Sequence, residues 1–121
     1  MRAIRAGFVG FGEVNTPKQV IEKLCAKAIS DLSSIGWDIV ATQPVADDEK
    51  YAEADRAIQT LAGQDFDLLV VCIAGWIPAH TVIHVTDKFR HQPMLLWGLT
   101  GWIEDGRLVT TAPQAGTSGL R

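Results

Sequence analysis

Six consecutive apolar residues, Leu68-Leu-Val-Val-Cys-Ile73, run between Asp67 and Ala74 without one polar side chain among them. A strand with one face in water alternates apolar and polar residues. An unbroken run of this length therefore reads as a strand covered on both faces, as in the middle of a parallel sheet flanked by helices. Such a strand demands helical crossovers on either side of it, and the chain supplies their patterns.

Phe8-Val-Gly-Phe11, entered from Ile4 and left through Gly10 and Gly12, predicts a first strand. Thr16-Pro-Lys-Gln19 predicts a helix start, with Thr16 as N-cap, Pro17 at the first helical position and Gln19 reaching back. Val20, Ile21, Leu24, Cys25, Ala28, Leu32 and Ile35 keep the helical period, and Gly36 is placed to end it in the left-handed conformation. Trp37 to Ala41 reads as a second strand, closed by Pro44. Asp47 or Asp48 caps a second helix whose Tyr51, Ala54, Ile58, Leu61 and Ala62 share a face before Gly63. A third helix runs from near Pro78 to about Phe89, burying Val82, Ile83 and Phe89, and Met94-Leu-Leu-Trp97 is a fourth strand.

Strand and helix thus alternate from end to end, the signature of right-handed crossovers. The fold class predicted is α/β, a Rossmann-like or flavodoxin-like three-layer sandwich around a parallel sheet of order 2-1-3-4. At 121 residues the chain makes one domain. Thr100 to Gly119 is loop-rich: Glu104-Asp-Gly106 is a turn, Arg107 to Thr111 a short strand or extended loop, and Thr117 or Ser118 sits as an N-cap. A chain that stops at a cap leads us to expect the front piece of a longer, multi-domain protein.

An apolar fraction of 47% and a net charge of −3 are those of a soluble globular chain. Arg2, Arg5, Lys18, Lys23 and Lys27 are balanced by nearby acids and form no basic stripe, which argues against nucleic acid as a partner. Charge at Arg5 and the lack of a long apolar stretch near Met1 argue against a leader or a membrane span, and the expected location is the cytoplasm. Cys25 on a helix face and Cys72 inside a strand are expected to be reduced, buried thiols without a disulfide.

Ligands of open α/β sheets bind beyond the carboxyl ends of the strands. Two tryptophan loops lie there, Cys72-Ile-Ala-Gly-Trp-Ile-Pro-Ala-His80 and Trp97-Gly-Leu-Thr-Gly-Trp102. Glu13 and Asn15 leave the first strand at the same edge as Trp76 and Trp102, so a carboxylate and an amide stand near aromatic faces, a combination suited to a sugar. Trp37 and Trp97 are as well explained by packing.

Other motifs carry less. Gly10-Phe-Gly12-Glu-Val-Asn15 has two glycines of a dinucleotide fingerprint but Asn15 in place of the third, and Asp47 lies too far on for the ribose carboxylate. Two glycines letting the strand turn into its helix is the simpler account. His80 and His84 share a helix face with only Asp87 to join them, and a solvated face explains them better than a metal pair. His91 is expected in water. Neither Cys72 nor Ser118 has a base nearby in sequence, so no nucleophilic triad is assembled.

Phe8-Val9 with the loop to Thr16-Pro-Lys-Gln-Val20, Phe66-Asp-Leu-Leu-Val-Val-Cys72 followed by Trp76-Ile-Pro-Ala79, and Gln92-Pro-Met-Leu-Leu-Trp-Gly98 span most of the chain. At these segments it resembles the N-terminal domain of the L-fucose and L-arabinose isomerase superfamily. The resemblance implies a carbohydrate-metabolising aldose–ketose isomerase that is oligomeric and uses a divalent metal, commonly manganese, held by carboxylates and a histidine of later domains. None of those ligands matches a residue here, so this chain alone is expected to be inactive and to hold no cofactor.

The first domain of that family covers the site of a neighbouring subunit and its monosaccharide. Trp76 matches the loop aromatic near the sugar, and Gly12 to Asn15 match the first-strand loop. Relatives carry a basic or amide side chain in that loop, and of Glu13, Val14 and Asn15 only Asn15 fits. A stand-alone flavodoxin-like small-molecule binding module is the alternative, and a nucleotide-binding oxidoreductase the third.

Overall fold

The computed structural model describes residues 3–99, 101–104 and 107–110, the last two stretches through their backbone. Strands β1 (Arg5–Phe11), β2 (Asp38–Ala41), β3 (Leu68–Ile73) and β4 (Met94–Gly98) form one sheet of order 2-1-3-4, every pair parallel. Helices α1 (Lys18–Ser34), α2 (Ala52–Ala62) and α3 (Ala79–Thr86) alternate with the strands, and a 3₁₀ turn over Asp87–Phe89 extends α3. This is the α/β architecture that the unbroken run at β3 predicts.

The layers follow from the pleat. Val9 and Phe11 of β1 and Leu69, Val71 and Ile73 of β3 pack on one face against Ala54, Ala57 and Leu61 of α2 and Val82 and Val85 of α3. Ala6, Phe8, Val70 and Cys72 point the other way, onto Ile21, Cys25, Ala28 and Leu32 of α1. Residues 69–73 are all at most 2% exposed, and burying a side chain such as Leu69 fully contributes roughly 1.5–3 kcal/mol. β4 differs: Met94, Leu95 and Leu96 on this edge strand are 40%, 40% and 38% exposed.

Several local expectations are corrected. Pro17 has ψ 127, so it stands outside the helix as its N-cap residue rather than at the first helical position, and no side chain caps α1. The Pro17 carbonyl instead accepts from the amides of Val20 and Ile21, and Thr16 closes a turn on the Glu13 carbonyl through its own N–H. Val20 and Ile35 are 40% and 67% exposed, because the seam of α1 on the sheet is only Ile21, Cys25, Ala28 and Leu32 wide. Ala62 is likewise exposed. On α3 and the turn after it Val82 and Phe89 are buried as expected, whereas Ile83 is 46% exposed and Thr81 and Val85 are buried in its place.

Gly36 ends α1 as expected, at φ 95. Its amide donates to the Ser33 carbonyl and that of Trp37 to the Leu32 carbonyl, the paired bonds of a Schellman ending. The two acids before α2 divide their work: Asp48 accepts from the amides of Ala52 and Glu53, whereas Asp47 accepts from the Val14 amide at 2.9 Å and braces the loop after β1. Gly101–Glu104 and Arg107–Thr110 pair as an antiparallel hairpin, with Glu104 opposite Arg107. The stretch read as loop-rich thus begins with two strands, and the expected caps at Thr117 and Ser118 lie outside the described residues. Among those residues no helix is long and apolar enough to cross a membrane.

Candidate functional site

In a sheet of this order the connections leave β1 and β3 toward opposite faces, which opens a crevice beyond their carboxyl ends. Two loops meet there. The Glu13 amide donates to the Trp76 carbonyl at 2.8 Å, and the amides of Ala74 and Gly75 donate to the Phe11 carbonyl. Gly12 and Gly75 let Ile21 of α1 pack under this junction: a Cβ at Gly12 would stand 2.3 Å from Ile21 Cδ1, and one at Gly75 2.8 Å from the same atom.

On the β2 side of that loop lies a cleft of about 420 Å³. Its apolar wall is formed by Val14, Ile21, Pro44 and Val45, and its charged groups are Glu13, Lys18, Glu53 and Arg56. The frame is tied by hydrogen bonds: Gly12 N–H to the Val45 carbonyl, Val45 N–H to the Gly10 carbonyl, and Val14 N–H to Asp47. Arg56 Nη2 donates to the carbonyls of Gln43 and Pro44 at 3.3 and 3.2 Å and lies 3.9 Å from Glu53 Oε1. The guanidinium is thereby held at the rim by neutral acceptors and one loosely placed carboxylate.

Of the residues singled out in the sequence, Glu13 lines this cleft and is joined through its backbone to the Trp76 loop. Trp76 itself is 39% exposed and is not part of the cleft wall. Asn15 is exposed in the turn between Glu13 and Thr16. Trp102 belongs to the hairpin, and its side chain lies outside the described residues. Trp37 and Trp97 are partly buried against the α1 side of the sheet, in keeping with a packing role. Sequence reasoning passed over Lys18, Glu53 and Arg56, since charges on the outer faces of helices carry no sign of the loop they will border.

The glycine pair Gly10 and Gly12 has a packing cause. A Cβ on Gly10 would stand 2.3 Å from Cys25 Sγ, so both glycines let α1 sit close on β1 rather than cradle a pyrophosphate. Cys25 and Cys72 are free and buried, 4% and 0% exposed. The hydrogen bond with Cys25 and burial push the Cys72 thiol up, away from the thiolate a nucleophile needs.

His80 and His84 are not simply solvated. The Tyr51 hydroxyl and His80 Nδ1 share a hydrogen bond of 2.9 Å, and His84 Nε2 meets Asp55 Oδ1 at 2.8 Å. The partners come from α2, which is why spacing along α3 alone did not reveal them. His91 is exposed. Among the described residues no three His, Cys, Asp or Glu side chains come together as a metal site, and the resemblance itself assigns the manganese ligands to later domains.

Comparison of the chain with protein-family models, curated proteins and solved structures finds no match.

Proposed function

We propose that the chain is the substrate-covering and assembly domain of a sugar isomerase-like protein in carbohydrate metabolism, presenting Trp76 to a monosaccharide held in a neighbouring subunit. One observation carries the reading: an indole 39% exposed stands directly after the central strand, and its loop is held in place by the Glu13 amide. An exposed aromatic face stacks on the C–H face of a sugar, while its polar rim is left to hydrogen-bond hydroxyls. Asn15, exposed on the loop that begins at Glu13, supplies an amide with both donor and acceptor. The groups that move protons between carbons, and any metal, belong in this reading to other parts of the assembled protein.

The test is aldose–ketose exchange by the product of the whole gene with manganese, followed by NMR over a panel of pentoses, hexoses and modified sugars. Exchange with at least one sugar is expected, and Trp76→Ala should raise KM or lower kcat with an unchanged circular dichroism spectrum. Silence across the panel overturns the isomerase reading, and unchanged kinetics in the variant removes the role given to Trp76.

A second reading, a small-molecule binding module that works without catalysis, is favoured by the cleft of about 420 Å³ beyond the strand ends.

A further inference from the structure

We infer that the cleft between the loops after β1 and β2 and the first turns of α1 and α2 is a binding site for a small zwitterion of the amino-acid type, carrying an apolar side chain. The inference goes beyond the isomerase reading and stands without it, because Trp76 does not line this cleft and the cleft holds charges the sugar platform does not use.

Size is the first argument. A cleft of about 420 Å³ falls within the range of small-molecule sites, roughly 300–1,000 Å³.

Charge is the second. Two carboxylates, Glu13 and Glu53, and two cations, Lys18 and Arg56, face one space. A phosphate or polycarboxylate entering there would meet both glutamates, and a free cation would meet Lys18 and Arg56. Lys18 and Arg56 have only loosely placed carboxylates of their own helices beside them, Glu22 and Glu53, each at 3.9 Å, and a molecule with one group of each sign can serve both sides: its carboxylate lies toward Lys18 and the Arg56 guanidinium, its ammonium toward Glu13 and Glu53. A guanidinium is suited to gripping a carboxylate because its donors lie in one plane. Here that plane is already fixed by the Gln43 and Pro44 carbonyls, so less freedom is lost on binding.

The third argument is the wall. Val14, Ile21, Pro44 and Val45 give the cleft an apolar side. Val14 is 58% exposed, although the Asp47 carboxylate holds its amide and so the position of its backbone. A ligand with a hydrocarbon side chain would cover Val14.

The experiment is microcalorimetric titration of the chain with free L-amino acids, with the N-acetyl and C-amide derivatives of any that bind, and with an aldose for contrast. An amino acid with an apolar side chain should bind, and blocking either of its charges should weaken binding by about tenfold or more, the loss that follows when a charge is left without its partner. Lys18→Met and Glu13→Gln should each weaken it to a similar degree without moving the urea midpoint, since neither side chain braces a loop among the described residues. Arg56→Gln should weaken it as well, and Lys27→Met, on the outer face of α1, should leave it unchanged. The inference is overturned if no amino acid gives heat or a melting shift at about 10 mM, weaker than any useful site, or if charge-blocked derivatives bind as well as the free forms. Loss of sugar exchange in the preceding experiment changes none of these outcomes, so the two proposals fail separately.

Discussion

The phenol ring of Tyr51 lies flat on the imidazole of His84, centroids 4.2 Å apart and planes within 10°. The Tyr51 hydroxyl is bound to His80 one turn earlier on α3, and His84 reaches back to Asp55 on α2. Tyr51 makes these contacts from φ 56 and ψ 28, a left-handed conformation that a bulky side chain adopts at a cost. One strained residue at the start of α2 thus fastens that helix to α3.

Tyr51→Phe keeps the stack and loses the hydrogen bond, and should lower stability by about 1 kcal/mol. Tyr51→Ala loses both contacts and keeps the backbone cost, so it should fall further. Tyr51→Gly loses the same contacts but relieves the backbone, and should be more stable than Tyr51→Ala by about 1 kcal/mol. Urea unfolding of the three variants checks the order. Equal stabilities of the Ala and Gly variants would show that the left-handed conformation costs nothing here.

Gly10→Ala should destabilise the fold by about 1–3 kcal/mol, the usual penalty of overpacking, because its methyl would stand 2.3 Å from Cys25 Sγ. Cys25→Ala removes that sulfur. The double variant should recover part of the loss, and a thermodynamic cycle over the four proteins measures the coupling. Simple additivity would mean that the two positions do not meet.

Two helix-ending glycines should respond in opposite directions. Gly36 has φ 95 and open space around its Cβ position, so Gly36→Ala pays for backbone conformation alone and should cost about 1 kcal/mol. Gly63 has φ −86 and ψ 4, also with nothing within 4 Å of an added Cβ. Gly63→Ala should therefore stabilise the protein by about 0.4–1 kcal/mol through the unfolded chain. Denaturant midpoints at one pH separate the two cases.

Cys72 should resist alkylation by iodoacetamide in the native protein and react only on unfolding, as mass spectrometry can follow. Its pKa is raised in the folded state by the bond with Cys25 and by burial. The folded protein therefore keeps a proton that the unfolded chain releases above the ordinary thiol pKa of about 8.5. This contribution to stability is complete below that pH and declines as pH rises beyond it.

The parallel core was legible because a six-residue apolar run at β3 admits few environments, and the alternating helical patterns then limit the order of strands. Helix ends were harder to read. Thr16-Pro17 has the composition of a cap and first helical residue, yet Pro17 takes an extended ψ so that its carbonyl can serve Val20 and Ile21. Faces also drifted. Ile35 and Ile83 fit the period of their helices but fall beyond the narrow seam that the sheet covers.

Site residues were legible in part. Glu13 and Trp76 leave neighbouring strands at the same edge, and they are joined there by a hydrogen bond. Arg56 and Glu53, three residues apart on a helix, look in sequence like a solvated ion pair. Only the return of β2 toward Pro44 gives that pair a cleft to border.

Met94, Leu95 and Leu96 have a consequence for handling the protein. They close the sheet on an edge strand without a lysine or a bulge among them, and natural edges usually carry such features to repel extended segments. Self-association at high concentration should begin at this edge. A single lysine at Leu95, which is 40% exposed in the middle of this edge, is the substitution by which solubility should be gained first.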